Sequence, residues 1–197
     1  MNLHWRNAIP YLLPFALALG STGSQGNALA KERTPPRIQC DITIPCTAEE
    51  AWTAWTTEEG LESFLARTAR VRLENGGEYV IHLGPEEVPR ARPPRILHID
   101  APRTLSYEWV IPLPQAASRD PMTIVTIRIE PLSQNRCRVR LEHTGWAIGD
   151  HDTEEFAYSQ RSWKIVLRNL RSSLTVRKEG TSKPTSEEHS RHRAPVP

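Results

Sequence analysis

Apolar positions in this chain recur first at two-residue, then at three- and four-residue, and again at two-residue steps. From Arg37 to Pro45, Ile38, Cys40, Ile42 and Ile44 alternate with polar residues, the period of a half-buried strand. Thr47-Ala-Glu-Glu50 has the form of a capping box and opens a helical segment with Trp52 and Trp55 three apart. A second box, Thr56-Thr-Glu-Glu59, is expected to open another short helix carrying Leu61, Phe64 and Leu65. From Ala69 the strand period returns. Ala69, Val71 and Leu73 alternate with arginines, Asn75-Gly76-Gly77 marks a turn, and Tyr79, Ile81 and Leu83 alternate on the way back, which predicts a hairpin. Beyond a proline-rich loop at 84–94, strands are expected at 95–99 and 104–111, the second with Leu105, Tyr107, Trp109 and Ile111 on one face. After a loop at 112–121, Thr123, Val125, Ile127 and Ile129 mark a sixth strand. A turn at Ser133-Gln-Asn-Arg136 leads to a seventh, with Val139, Leu141 and His143 on one side.

Residues 152–177 read as one long helix. Phe156, Trp163, Val166, Leu167, Leu170 and Leu174 form a single apolar stripe. Asp152 is expected to cap its start, with Glu155 as reciprocal partner. The order is strand, two short helices, six strands, long helix. A sheet apolar on one face and a helix with one apolar stripe pack as an α+β sandwich. We therefore expect a curved antiparallel sheet of about seven strands around the C-terminal helix.

The first thirty residues follow a different pattern. A head with Arg6, an apolar run from Ala8 to Leu19 and Ala28-Leu29-Ala30 before Lys31 follow the secretory signal-peptide pattern. The alternative is a membrane anchor, but the run is shorter than the ~20 residues a spanning helix needs and contains Pro10 and Pro14. The expected division is a signal peptide at 1–30, one folded domain at 37–177 and a disordered polar tail at 178–197. An exported protein, periplasmic or secreted, with no transmembrane segment after signal removal, follows. The chain has 25 Lys+Arg against 23 Asp+Glu, and losing Arg6 leaves a formal balance of +1, which gives no basis for nucleic-acid binding. His189 and His192 in the tail lack anchoring ligands for a metal.

Cys40, Cys46 and Cys137 form no C-x-x-C pair, and their odd number leaves at least one outside any internal bridge. An oxidising compartment permits a disulfide; three small buried hydrophobes are the alternative. If strands one and seven pair antiparallel, Cys46 comes near Cys137, and a Cys46–Cys137 bridge is expected.

The run from Pro45 to Phe64, with Trp52 and Gly60-Leu61, is similar to the opening motif of the domain found in activators of the heat-shock protein 90 ATPase. Gly76-Gly77, the segment from Asp100 to Trp109 and His143-Thr-Gly145-Trp146 match further landmarks in order. The resemblance covers residues 39–174. It implies the START-like, or SRPBCC, superfamily and its helix-grip fold. It also implies a space for a hydrophobic ligand between sheet and helix. By strand parity Tyr79, Tyr107, Trp109 and His143 should face that space, with Phe156, Trp163 and Gln160 from the helix.

His143 is the inward-facing group suited to acid–base work, yet no nucleophile or second acid is assignable beside it; the alternative is a hydrogen-bonded core histidine. Asp150-His151-Asp152 with Glu154 and Glu155 is better explained by capping than by metal binding. No metal or other cofactor is implied. Arg161, Lys164, Arg168 and Arg171 form a basic stripe, either a solvated face or a docking surface. The favoured reading is a non-catalytic, exported domain binding a small hydrophobic or aromatic molecule. A cyclase- or dehydratase-like enzyme using His143, and a co-chaperone-like module meeting an envelope protein through the basic stripe, are the alternatives.

Overall fold

A computed structural model describes residues 34–84, 92–112 and 122–181, with side chains as far as Val176. The expected signal peptide, most of the two loops, and His189 and His192 lie outside the described residues. Strand β1 (Ile38–Ile44) leads into α1 (Ala48–Thr56) and α2 (Glu58–Glu62). Six strands follow: β2 (Thr68–Val71), β3 (Tyr79–His82), β4 (Ile96–Asp100), β5 (Thr104–Trp109), β6 (Thr123–Ser133) and β7 (Arg136–Thr144). A 3-10 turn at Asp150–Asp152 precedes the long helix α3 (Glu154–Thr181). No helix among the described residues is long and apolar enough to cross a membrane.

The seven strands divide into two groups. Five form an antiparallel sheet in the order β1-β7-β6-β5-β4, while β2 and β3 pair as a separate hairpin. The hairpin remains stitched to β4 through backbone hydrogen bonds from Tyr79 to Pro94 and from Ile96 to Gly77, 2.9 and 2.8 Å. Its strands are shorter than the alternation suggested. They stop at Val71 and His82, leaving Leu73 and Leu83 exposed, and within the 72–78 connection Gly76 and Gly77 hydrogen-bond to Ile96 of β4. Gly76 adopts φ 81° there, a conformation that costs glycine little, and its N–H donates to Ile96.

Residues on one face of the large sheet are buried. Tyr107 and Trp109 of β5, Val125 and Ile127 of β6, and Val139, Leu141 and His143 of β7 all point inward. The opposite face carries solvated ion pairs, Glu142 with Arg128 and Glu130 with Arg140, both at 3.2 Å. Exposed pairs of this kind contribute at most about 1 kcal/mol each.

Helix α3 covers the inner face with Phe156, Trp163, Leu167, Leu170 and Leu174 buried. At ~1.5–3 kcal/mol for each large side chain, this stripe stabilises the domain by roughly 10 kcal/mol before chain entropy is counted. Asp152 does not cap the helix. Thr153 does, accepting from the N–H of Phe156 at 3.3 Å, because Asp152 is taken into the 3-10 turn. The helix also continues to Thr181, so the first residues of the expected disordered tail are helical.

The capping box on α1 forms as expected: Glu50 N–H donates to Thr47 at 3.0 Å and Thr47 N–H donates to Glu50 at 2.7 Å. The next cap is one residue later than expected. Thr57, in extended backbone, accepts from Gly60, while Thr56 is buried and donates to the carbonyl of Trp52. Gly60 lets α2 turn tightly under α1, since a Cβ there would lie 2.6 Å from the carbonyl oxygen of Ala54. Helix α2 then guards the edge of β2. Glu62 accepts from the N–H of Ala69 and Glu58 from that of Val71, each at 3.0 Å.

Candidate functional site

Between sheet and helix the aromatic side chains form one connected layer. Tyr79 packs on Tyr107 with ring centroids 4.3 Å apart, Tyr107 on Trp109 at 6.4 Å, and Trp109 on Trp163 at 4.7 Å. His143 lies edge-on to Trp163 at 5.9 Å and against Trp146 at 4.7 Å, and Trp146 meets Phe156 at 5.1 Å. Strand period brings Tyr79, Tyr107, Trp109 and His143 to this place, and helix period brings Phe156 and Trp163. Of the residues expected here, Tyr79, Tyr107, Trp109, His143, Phe156 and Trp163 converge. Gln160 does not. It is exposed, and Ser159 is buried in its stead. The two positions flank the apolar stripe at similar angles, and in this turn the packing partner lies on the side of Ser159.

Polar atoms in the layer fall into two groups. The Tyr79 hydroxyl donates to the carbonyl of Trp55 at 2.6 Å, and Trp163 Nε1 donates to His143 Nδ1 at 3.0 Å. An Nδ1 that accepts places the proton of neutral imidazole on Nε2, so His143 is oriented by the helix. By contrast, the Tyr107 hydroxyl, the Ser159 hydroxyl and Trp55 Nε1 are buried with no hydrogen-bond partner among the described residues. Burial holds the phenols of Tyr79 and Tyr107 well above the usual tyrosine range, so both carry their protons at neutral pH.

The rings of the layer are in mutual contact. Among the described residues, two surface hollows lie elsewhere: about 460 Å³ beside Thr47, Arg103 and Ser133, and about 670 Å³ between residues 62–67 and the helix at Asn169 and Val176. Neither is lined by Tyr107, Trp109 or Trp163.

Other candidates resolve separately. His151 and Asp152 pair at 3.0 Å on the surface, while the Asp150 carboxylate accepts from the N–H of Ala147. Among the described residues no three His, Cys, Asp or Glu side chains gather as metal ligands. Arg161, Lys164, Arg168 and Arg171 are exposed along α3, beside an exposed Ile165. The Cys46 and Cys137 sulfurs touch at 3.3 Å, longer than the ~2.05 Å of a disulfide bond.

Sequence reading missed Trp146, Ser159 and Trp55 as members of this site. Ser159 lies three residues after Phe156 and four before Trp163, a spacing that Gln160 meets equally well. Trp146 lies past the end of β7, where alternation has stopped.

Known structures share the fold. A protein from Mesorhizobium loti, MLL2253, is 19% identical with a TM-score of 0.58, over 72% of this chain and 98% of that one. The Aha1 dimer from Colwellia psychrerythraea is 18% identical, TM-score 0.55, over 71% and 96% of the two chains. An HSP90 activator from Plasmodium falciparum, PFC0360w, is 16% identical, TM-score 0.55, over 71% and 96%. At these identities the likeness is one of fold. No curated protein sequence matches the chain. The family described as "Activator of Hsp90 ATPase homolog 1-like protein" matches residues 45–175, two thirds of the chain and nearly all of its folded part. By that match, and with the sheet-and-helix frame of the START-like superfamily, the chain belongs to the activator of Hsp90 ATPase homolog 1-like family.

Proposed function

We propose that this domain is a non-catalytic, exported binding module for a small aromatic molecule carrying a hydrogen-bonding group, taken up between the sheet and α3. The observation that carries this reading is that two hydroxyls are buried without partners among the described residues, that of Tyr107 within the aromatic layer and that of Ser159 on α3 between Phe156 and Trp163. A buried polar group without a partner costs about 1–3 kcal/mol. A ligand that presents a donor or acceptor to these hydroxyls removes that penalty, and its ring replaces ring–ring contacts already in place. Because the rings touch, uptake requires them to part, so binding is coupled to opening of the layer.

The acid–base alternative would have to run through Nε2 of His143, a residue that is fully buried. Its Nδ1 accepts from Trp163, and protonating that atom would set one N–H against another. The HSP90 activation named for the Plasmodium falciparum protein is that protein's own. Export would keep this chain away from a cytosolic chaperone.

The test compares naphthalene with 2-naphthol, which adds one hydroxyl to the same ring system, by titrating the tryptophan fluorescence of the layer. We expect 2-naphthol to bind about tenfold more tightly, close to the ~1.4 kcal/mol of one added hydrogen bond. Tyr107→Phe should leave the protein as stable as before, or more so, and erase most of that difference. Equal affinity of both probes for the unaltered protein and for Tyr107→Phe would reject the reading.

A further inference from the structure

We infer that Cys46 and Cys137 are the two ends of an intramolecular disulfide that forms when the protein folds in an oxidising compartment. Strand pairing puts Ile44 of β1 opposite Cys137 of β7, and Cys46 follows two residues on, where the chain turns into the cap of α1. Both thiols are fully buried, and their sulfurs are in contact at 3.3 Å. Bond formation asks for about 1.3 Å of further approach, within the reach of small side-chain and backbone adjustments.

The third cysteine is excluded by the same register. Cys40 lies opposite Leu141, four residues along from the Ile44–Cys137 pair. At ~3.4 Å per residue it is about 14 Å from Cys137 along the sheet, twice the Cα separation a disulfide spans. Its environment agrees: burial outweighs the nearby Lys164 and pushes the Cys40 thiol up to about 11, which leaves little thiolate to react.

The bond forms by exchange with an oxidised dithiol protein or a low-molecular-weight disulfide. One cysteine, as thiolate, attacks a sulfur of the oxidant and releases one thiol. The second cysteine then displaces the other oxidant sulfur, forming the Cys46–Cys137 bond. The two cysteine protons end on the two released thiols, and the oxidant takes up both electrons. Because both thiols are buried in the folded chain, exchange precedes closure of this part of the core.

The test refolds the full chain from reduced, urea-unfolded protein in a mixture of reduced and oxidised glutathione. The expected product has one titratable thiol after denaturation, a mass 2 Da below the reduced chain, and one non-reduced peptide pair joining Cys46 to Cys137. Its Tm should exceed that of the reduced protein by about 10 °C, since the bond closes a loop of 91 residues. Cys40→Ala should keep the bond and Cys137→Ala should lose it. Three free thiols in the refolded chain, or a bridge that includes Cys40, would overturn the inference.

Discussion

At the scale of single residues, the Trp163–His143 hydrogen bond is where helix and sheet agree on an orientation. Trp163→Phe removes the donor and leaves a buried nitrogen acceptor without it. We expect a loss of about 3 kcal/mol, the sum of that penalty and a smaller ring, measured by urea unfolding. His143→Leu in the same chain should recover part of the loss, since removing both polar partners is milder than removing one. Additive losses in the double variant would show that the bond couples nothing. Inward-facing residues of the strands were legible because a two-residue period offers only two choices, which assigned Tyr107, Trp109 and His143 to the inner face. Helix α3 offered no such binary choice. Ser159 and Gln160 border the stripe at similar angles, and only the position of the sheet decides which is buried.

Among elements, the helix starts show where local pattern stops being sufficient. Thr47 stands alone as a cap candidate, and the sequence placed it correctly. Thr56 and Thr57 are adjacent, as are Asp152 and Thr153, and in both cases the cap is the second. Packing decides between them: Thr56 is drawn into the core, and Asp152 into the turn that delivers the chain to α3. The difference is measurable. Thr153→Ala should destabilise the protein by about 1 kcal/mol in urea unfolding, whereas Asp152→Ala should change it by less than about 0.5 kcal/mol. The reverse order would return the cap to Asp152. The sequence also could not divide seven strands into five and two, because alternation reports which face is buried and says nothing about which neighbour a strand pairs with.

For the molecule as a whole, compartment and covalent state belong together. The proposed export and the proposed disulfide make one joint expectation: protein recovered from its source begins at Lys31, as N-terminal sequencing or intact mass would show. Recovery with Met1 in place would remove the cleaved-signal reading, leaving the disulfide to be judged by refolding alone. The frame itself is better sealed than its seven strands suggest. Helix α3 packs against β1, and at the other end the outward N–H groups of β2 are already occupied by Glu58 and Glu62. Such an edge offers little template for strand addition, either by a second copy or by an extended peptide. Recognition by this domain is thereby steered away from backbone pairing and toward what its side chains can hold, and its concentrated solutions are guarded against sheet-to-sheet growth at that end.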